Sequence, residues 1–189
     1  MEHPKGQLLG ASTAIYLVLP ALFFAYGWLR SPFAVITIFV IIVFIAVSTW
    51  EIYRAVGLLR HRLVGRSIND QSKTLIWLCL AYLLIGIWLV LSGAGGFGYQ
   101  NYDYITNNAL FKDLIIKKWP ITMMINGIQT PVVYYLAYYL PGAAVGKILG
   151  WNAANVFIYL WTLIGTMLSF TWFWKLSRIN IKQRVGRIL

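Results

Sequence analysis

The sequence predicts an all-α, polytopic integral membrane protein that forms a single membrane module over residues 1–189. Three observations support this prediction. Of the residues, 60% are hydrophobic, and the mean hydropathy is +0.70. Only 11% of the residues are charged, whereas a soluble domain carries roughly 25% charged residues. A 21.6 kDa globule cannot bury so much apolar surface, so we expect lipid to be the solvent of most of it.

Four runs of the sequence are long and apolar enough to cross a membrane, since a spanning helix needs about 20 such residues. They are residues 8–29, 33–53, 74–91 and 153–174. Pro20 interrupts the first run, and membrane helices tolerate such a proline. The first run is also too long, and too weakly preceded by positive charge, for a cleavable signal peptide.

Residues 130–150 form a fifth candidate, but four tyrosines, Pro141 and Lys147 argue against a crossing there. Tyrosine prefers the headgroup level of a bilayer. If this segment stays outside and the N-terminus is cytoplasmic, eleven of the 16 lysines and arginines lie on the inner side. If it crosses, the five cations of the C-terminal tail move outside, and the count becomes six inside against ten outside. The positive-inside rule therefore predicts four crossings of the plasma membrane, with both termini cytoplasmic and residues 93–152 external, as interfacial or re-entrant helices.

Within the external segment, NALFKDLIIKKW predicts a short amphipathic helix that lies along the membrane surface and ends at Trp119-Pro120. The candidate N-caps are Thr106, Asn107 and Asn108. The predicted apolar face consists of Leu110, Phe111, Leu114 and Ile115.

Two aspartates in this segment have different surroundings. Asp113 precedes Lys117 by four residues, the favourable order for an ordinary ion pair along a helix. Asp103 stands between two tyrosines without a cation nearby in sequence. Such a carboxylate is solvated, caps a turn, or is held ready for a ligand.

The order of these features, from an external loop with an acid to a tyrosine-rich apolar segment and a returning span, resembles the GT-C superfamily of membrane glycosyltransferases. The motifs GFGYQNYDYITNNALFKDLI, WP and YYLAYYLPGAAVGKILGW carry the resemblance, which covers residues 92–151. They look like a family of uncharacterised bacterial membrane proteins of that build. These enzymes use polyprenyl-phosphate-linked sugars, so the resemblance implies that this chain is the N-terminal part of such an enzyme.

The resemblance also implies site residues. Asp103 matches the acid of the first external loop and would take the proton of the acceptor hydroxyl, with Asp113 as the second catalytic candidate. Lys112, Lys117 and Lys118 would bind the lipid phosphate as point charges. An alternative for these lysines is ordinary contact with headgroups or a solvated helix face.

No resident cofactor is predicted. A divalent metal would need more than Asp103, because a single carboxylate among amides is a poor cage for such an ion. The net charge of +11 is explained by membrane topology rather than by nucleic acid, because the cations flank the apolar runs. Cys79 lies within an apolar run and is a small apolar residue there.

The sequence thus favours the N-terminal module of a membrane glycosyltransferase, which transfers a sugar from a polyprenyl-phosphate donor at the outer face. One alternative is a small non-catalytic membrane protein, or a truncated relative, that binds a partner protein or a lipid. Another is a carrier or flippase subunit for lipid-linked sugars. An enzyme would turn Asp103 into an outer cleft, whereas a binding protein would leave it on open surface.

Overall fold

The computed structural model describes the backbone of residues 3–59 and 68–185, and the side chains of residues 8–50, 54 and 75–177. Six helices account for most of this chain: α1 (His3–Trp28), α2 (Ser31–Leu59), α3 (Ile68–Leu91), α4 (Tyr102–Ile116), α5 (Leu136–Leu149) and α6 (Trp151–Val185). A hairpin of two strands, β1 (Thr122–Ile125) and β2 (Ile128–Pro131), lies between α4 and α5. The predominantly helical fold predicted from the sequence is confirmed.

Three helices are long and apolar enough to cross a membrane, judged by length and composition. They are Leu8–Trp28, Ser31–Trp50 and Trp151–Ser177, and they coincide with three of the four predicted spans. At most 11% of the most apolar window of each is buried within the protein, as expected of helices whose surroundings are lipid. The fourth predicted span corresponds to the apolar part of α3, the 17 residues Leu75–Leu91. The basic residues within 60–67, which contribute to the predicted topology, lie outside the described residues.

The long helices run antiparallel where they touch. In α1 and α6, Tyr16 stacks on Trp161 with ring centroids 4.1 Å apart, and Thr13 accepts a 2.9 Å hydrogen bond from Trp172. In α3 and α6, Tyr159 donates a 3.2 Å hydrogen bond to the carbonyl of Gly86, and Tyr82 is hydrogen-bonded to Thr171. Consequently α1 ends, α2 begins, α3 ends and α6 begins at the same end of the bundle. The polypeptide between α3 and α6 therefore starts and finishes at that end.

Helix α5 lies within residues 130–150, the fifth candidate for a crossing. Its 14 residues extend about 21 Å, less than the ~30 Å of a hydrocarbon core. It turns back along α6, so that Gly142 meets Ile158 and Tyr138 meets Thr162. The first turn of α5 thus lies beside a point eleven residues, or about 16 Å, into α6.

The hydrophobic core is assembled at this end of the bundle rather than along the spans. Its buried side chains are Phe111, Leu114, Ile121, Leu136, Leu140, Ala143, Ala154 and Ile158. Phe23, Phe24 and Trp28 of α1 pack against this cluster. Helices α4 and α5, the start of α6 and the end of α1 therefore form one packed unit.

Helix α4 differs from its sequence prediction in two respects. It begins at Tyr102, before the three predicted caps, with Asn101 in the N-cap position. Its apolar face also turns inward: Phe111 and Leu114 are buried in the core, and Leu110 and Ile115 pack against it. Because α5 and α6 cover this face, it packs in the protein core and is not free to contact lipid.

The β-hairpin is an addition to the all-α architecture that the sequence predicted. Ile125 pairs with Ile128 across a two-residue loop, and both loop residues have positive φ, 51° at Asn126 and 79° at Gly127. These angles define a type I′ turn, for which Asn-Gly is the favoured sequence. The Asn-Gly pair was therefore a usable signal in the sequence.

Candidate functional site

An open groove of about 730 Å³ lies between α1, α4 and α5. Its lining is almost entirely apolar or aromatic, with the amide of one asparagine as the main exception. The lining residues are Phe24, Asn107, Val133, Tyr135, Leu136, Ala137, Tyr138 and Tyr139. We call this feature the tyrosine groove. The apolar walls of the groove suit a hydrocarbon chain, and the hydroxyls of its three tyrosines offer hydrogen bonds.

Two of these tyrosines have fixed positions. The Tyr138 hydroxyl lies 2.5 Å from Oγ1 of Thr162 on α6, and the Tyr139 ring contacts Phe111 at 5.3 Å between centroids. Burial raises the pKa of Tyr139 to about 12, with the neighbouring Tyr138 and Tyr104 adding to the rise. Tyr139 therefore stays a neutral hydrogen-bond donor at physiological pH and is unsuited to act as a base.

A second recess, of about 470 Å³, lies on the other side of α4. Asn108, Ala109 and Lys112 line it from α4, and Trp151 closes it from the start of α6. Asn108 is held in place because its Nδ2 donates a 2.8 Å hydrogen bond to Oε1 of Gln100. An exposed ammonium beside an amide and an indole is a suitable place for an anionic headgroup. We call this feature the lysine recess.

Asp103, the predicted catalytic base, lies in the first turn of α4 and is exposed. A carboxylate there is favourably placed with respect to the helix dipole. It is not among the residues that line the tyrosine groove, although Asn107, one helical turn further on, is. Residues four apart share a helix face, so Asp103 stands beside the groove rather than inside it.

The second candidate acid is engaged in an ion pair. Asp113 Oδ2 accepts a 2.7 Å hydrogen bond from Nζ of Lys117, with both side chains about half exposed. This confirms the pair expected from their spacing. Asp113 lies ten residues beyond Asp103 on the same helix, about 15 Å along its axis, so α4 does not bring the two acids together.

The three predicted phosphate ligands are likewise separated. Lys112 lines the lysine recess, Lys117 pairs with Asp113, and Lys118 is exposed just after α4 ends. Of the three, Lys112 is the one that the structure places in a concave site.

Lys147 is the cation whose role the sequence did not reveal. Its Nζ donates hydrogen bonds to the carbonyls of Lys117, at 2.5 Å, and Ile115, at 3.3 Å, and lies 5.2 Å from the ring centroid of Trp119. Partial burial lowers its pKa. A cation at these carbonyls satisfies acceptors that the end of α4 leaves open, so Lys147 ties α5 to α4.

In the part of the chain that the structure describes, no three His, Cys, Asp or Glu side chains lie close enough to hold a metal ion. The ligands available at the two concavities are amides, phenols, an indole and one ammonium. These groups suit a lipid phosphate and its chain better than a metal.

No family model matches the chain, and no curated protein or solved structure matches it either. The site is therefore interpreted from its own chemistry. Sequence reasoning identified the tyrosine-rich segment and Lys112, but it did not foresee that Phe24 of the first span forms a wall of the groove. Only the packing of α1 against α5 creates that wall.

Proposed function

We propose that this membrane protein binds a phosphate-bearing lipid at the outer face, with the hydrocarbon chain in the tyrosine groove and the headgroup near α4. The observation that carries the proposal is the groove itself, which is open, lined by aromatic and apolar side chains, and built where the spans end. Ligand sites of this kind are mostly apolar concavities with a few placed polar groups. Lys112 in the lysine recess supplies positive charge on the same helix that supplies Asn107 to the groove.

The proposal includes the four-crossing topology, with both termini cytoplasmic and residues 93–152 outside. Its support is that α3 and α6 run antiparallel, which puts both ends of this segment on one side. Helix α5 is too short to carry the chain across. In this arrangement α5 is re-entrant: it packs between α1 and α6 with its first turn deepest and returns to the surface at Gly150.

Lipid binding is tested by titrating the purified protein with farnesyl phosphate, a short polyprenyl phosphate, and by following protein thermal stability. We expect stabilisation, weakened by Tyr135→Ala in the groove and by Lys112→Gln in the recess. Lys117→Gln is the matched control, because Lys117 is already paired with Asp113, and it should leave binding unchanged. Farnesol, which has the chain without the phosphate, separates the two contributions. Equal stabilisation of all three variants would refute the assignment of the site.

The second candidate function is sugar transfer from a polyprenyl-phosphate donor, with Asp103 as the base. The observation that favours it is the position of Asp103 one turn from Asn107, at the edge of the groove. In that arrangement the acceptor hydroxyl approaches along α4 and loses its proton to the carboxylate. The leaving lipid phosphate stays close to the cations of the same helix.

The two functions are separated by an activity assay with a polyprenyl-phosphate-linked sugar. If Asp103 is the base, Asp103→Asn lowers the rate by about 10²–10⁴-fold, while Asp113→Asn has little effect. Binding of farnesyl phosphate should survive both substitutions. A chain that binds the lipid but shows no transfer in any variant is a binding protein and not an enzyme.

A further inference from the structure

The β-hairpin presents large apolar side chains to its surroundings. Met123, Met124, Ile125 and Ile128 are 46–69% exposed, and none of them belongs to the buried core cluster. An isolated two-stranded hairpin is only marginally stable in water. The strands of this hairpin make no sheet with any other strand in the described part of the chain, so another surface must support them.

The two faces of the hairpin differ. Cross-strand partners share a face, so Ile125 and Ile128 lie together, and Met123 lies with them two residues along β1. On the opposite face Gln129 donates a 2.9 Å hydrogen bond from Nε2 to Oγ1 of Thr122. That face also carries the exposed Met124, the cross-strand partner of Gln129, so it is mixed. The Met123–Ile125–Ile128 face, with Thr130 as its polar member, is the more apolar of the two and suits a non-aqueous environment.

The root of the hairpin is fixed at the end of the first span. Trp28 Nε1 donates a 2.7 Å hydrogen bond to the carbonyl of Val132, and Val132 N–H donates a 2.9 Å hydrogen bond to the carbonyl of Ile121. The indole rings of Trp28 and Trp119 lie 5.7 Å apart. Because Trp28 is the last residue of the candidate span Leu8–Trp28, the hairpin emerges at the boundary between lipid and water.

The charges around the hairpin fit a phospholipid surface. Residues 119–146 include no Asp, Glu, Lys or Arg, while Lys117 and Lys118 precede them and Lys147 follows. Lysines beside an apolar tip are attracted to anionic headgroups while the tip enters the region below them.

We propose that the hairpin is a membrane anchor: its Met123–Ile125–Ile128 face inserts into the outer leaflet at the boundary between headgroups and acyl chains. The partner is the lipid surface of the bilayer that the long helices cross. Since the hairpin joins α4 to α5, this contact holds the outer segment down on the membrane. The inference does not depend on what the tyrosine groove binds.

The anchor is tested by spin labelling of the full chain in vesicles of phosphatidylcholine and phosphatidylglycerol. Cys79 is first replaced by serine, and a single cysteine is then introduced as Ile128→Cys or Gln129→Cys. These neighbours are both exposed and lie on opposite faces of the hairpin, so neither label should disturb folding. Accessibility is measured to oxygen, which concentrates in lipid, and to a water-soluble nickel chelate.

We expect the label at position 128 to be relaxed mainly by oxygen and the label at position 129 mainly by the nickel chelate. Equal access of both labels to the nickel chelate would place the hairpin in water and overturn the proposal. Protection of position 128 from both reagents would mean contact with protein and would also overturn it. Dilution of the labelled chain with unlabelled chain would then show, by loss of dipolar broadening, whether that protein is a second copy.

Discussion

Lys147 shows how a single side chain can connect two elements that a sequence pattern treats separately. In the sequence it is a charge that argues against a membrane crossing. In the structure its ammonium donates hydrogen bonds to the open carbonyls at the end of α4 and lies over Trp119. The neighbouring residues of α5 pack against α4, and the ammonium of Lys147 adds hydrogen bonds that join the two helices.

We expect Lys147→Met to lower the free energy of unfolding by about 1 kcal/mol, because the carbonyls of Ile115 and Lys117 lose a donor while the aliphatic stem is retained. Since the ammonium is largely exposed, water replaces part of the lost interaction. The measurement is unfolding of the detergent-solubilised protein by denaturant. Lys118→Met is the control for removal of one surface charge at the end of α4. An equal loss in the two variants would mean that the specific bonds of Lys147 contribute nothing.

Asp103 lies in a different local structure from the one predicted. The sequence predicted a helix that starts after Thr106, Asn107 or Asn108, which leaves Asp103 outside it. The structure extends α4 back to Tyr102, which gives Asp103 a local role at a helix N-terminus. Its rotation toward or away from the groove depends on tertiary packing, which the local sequence does not encode.

At the scale of the element, α5 owes its position to small residues. A Cβ on Gly142 would lie 2.7 Å from side-chain atoms of Ile158, and one on Gly146 would lie 2.7 Å from Ile115 and 2.9 Å from Ala154. The glycines are four apart and so share a face, as in the small-residue contacts of membrane helices. They allow α5 to approach α6 and α4 closely enough to form the floor of the tyrosine groove.

Gly142→Ala should therefore destabilise the protein by about 1–3 kcal/mol through overpacking, despite the higher helix propensity of alanine. Gly86→Ala is the matched control in α3, because its Cβ would meet its nearest atoms at 3.7 Å, an ordinary contact. Thermal unfolding in one detergent compares the two. Stabilisation by Gly142→Ala would show that α5 does not pack as described.

The hairpin illustrates a signal that was present but not used. Asn126-Gly127 between short apolar runs is a strong local indication of a type I′ turn, and the strands pair as that signal predicts. The sequence prediction instead assigned residues 93–152 to interfacial or re-entrant helices and included no strand there. The turn residues set the local backbone, and the apolar side chains of the strands are exposed in the structure.

At the scale of the whole molecule, the packed core is concentrated at one end of the spans. Hydropathy located the long helices to within a few residues because lipid imposes length and composition on them. Hydropathy could not show that the core lies at one end, formed by α4, α5 and the start of α6. That arrangement depends on contacts between distant residues such as Trp28 and Val132, which leave no periodic trace in the sequence.

The account depends on one spatial claim: the segment between α3 and α6 stays on the outer side of the membrane, so that groove, recess and hairpin share one face. The most direct test is labelling of intact cells with a membrane-impermeant maleimide, with Cys79 replaced by serine. A cysteine at Gln129 should react in intact cells, and a cysteine at Ser177 should react only after the cells are permeabilised. Labelling of position 177 from outside would contradict the account, because α6 would then deliver the C-terminal end of the chain to the outer face.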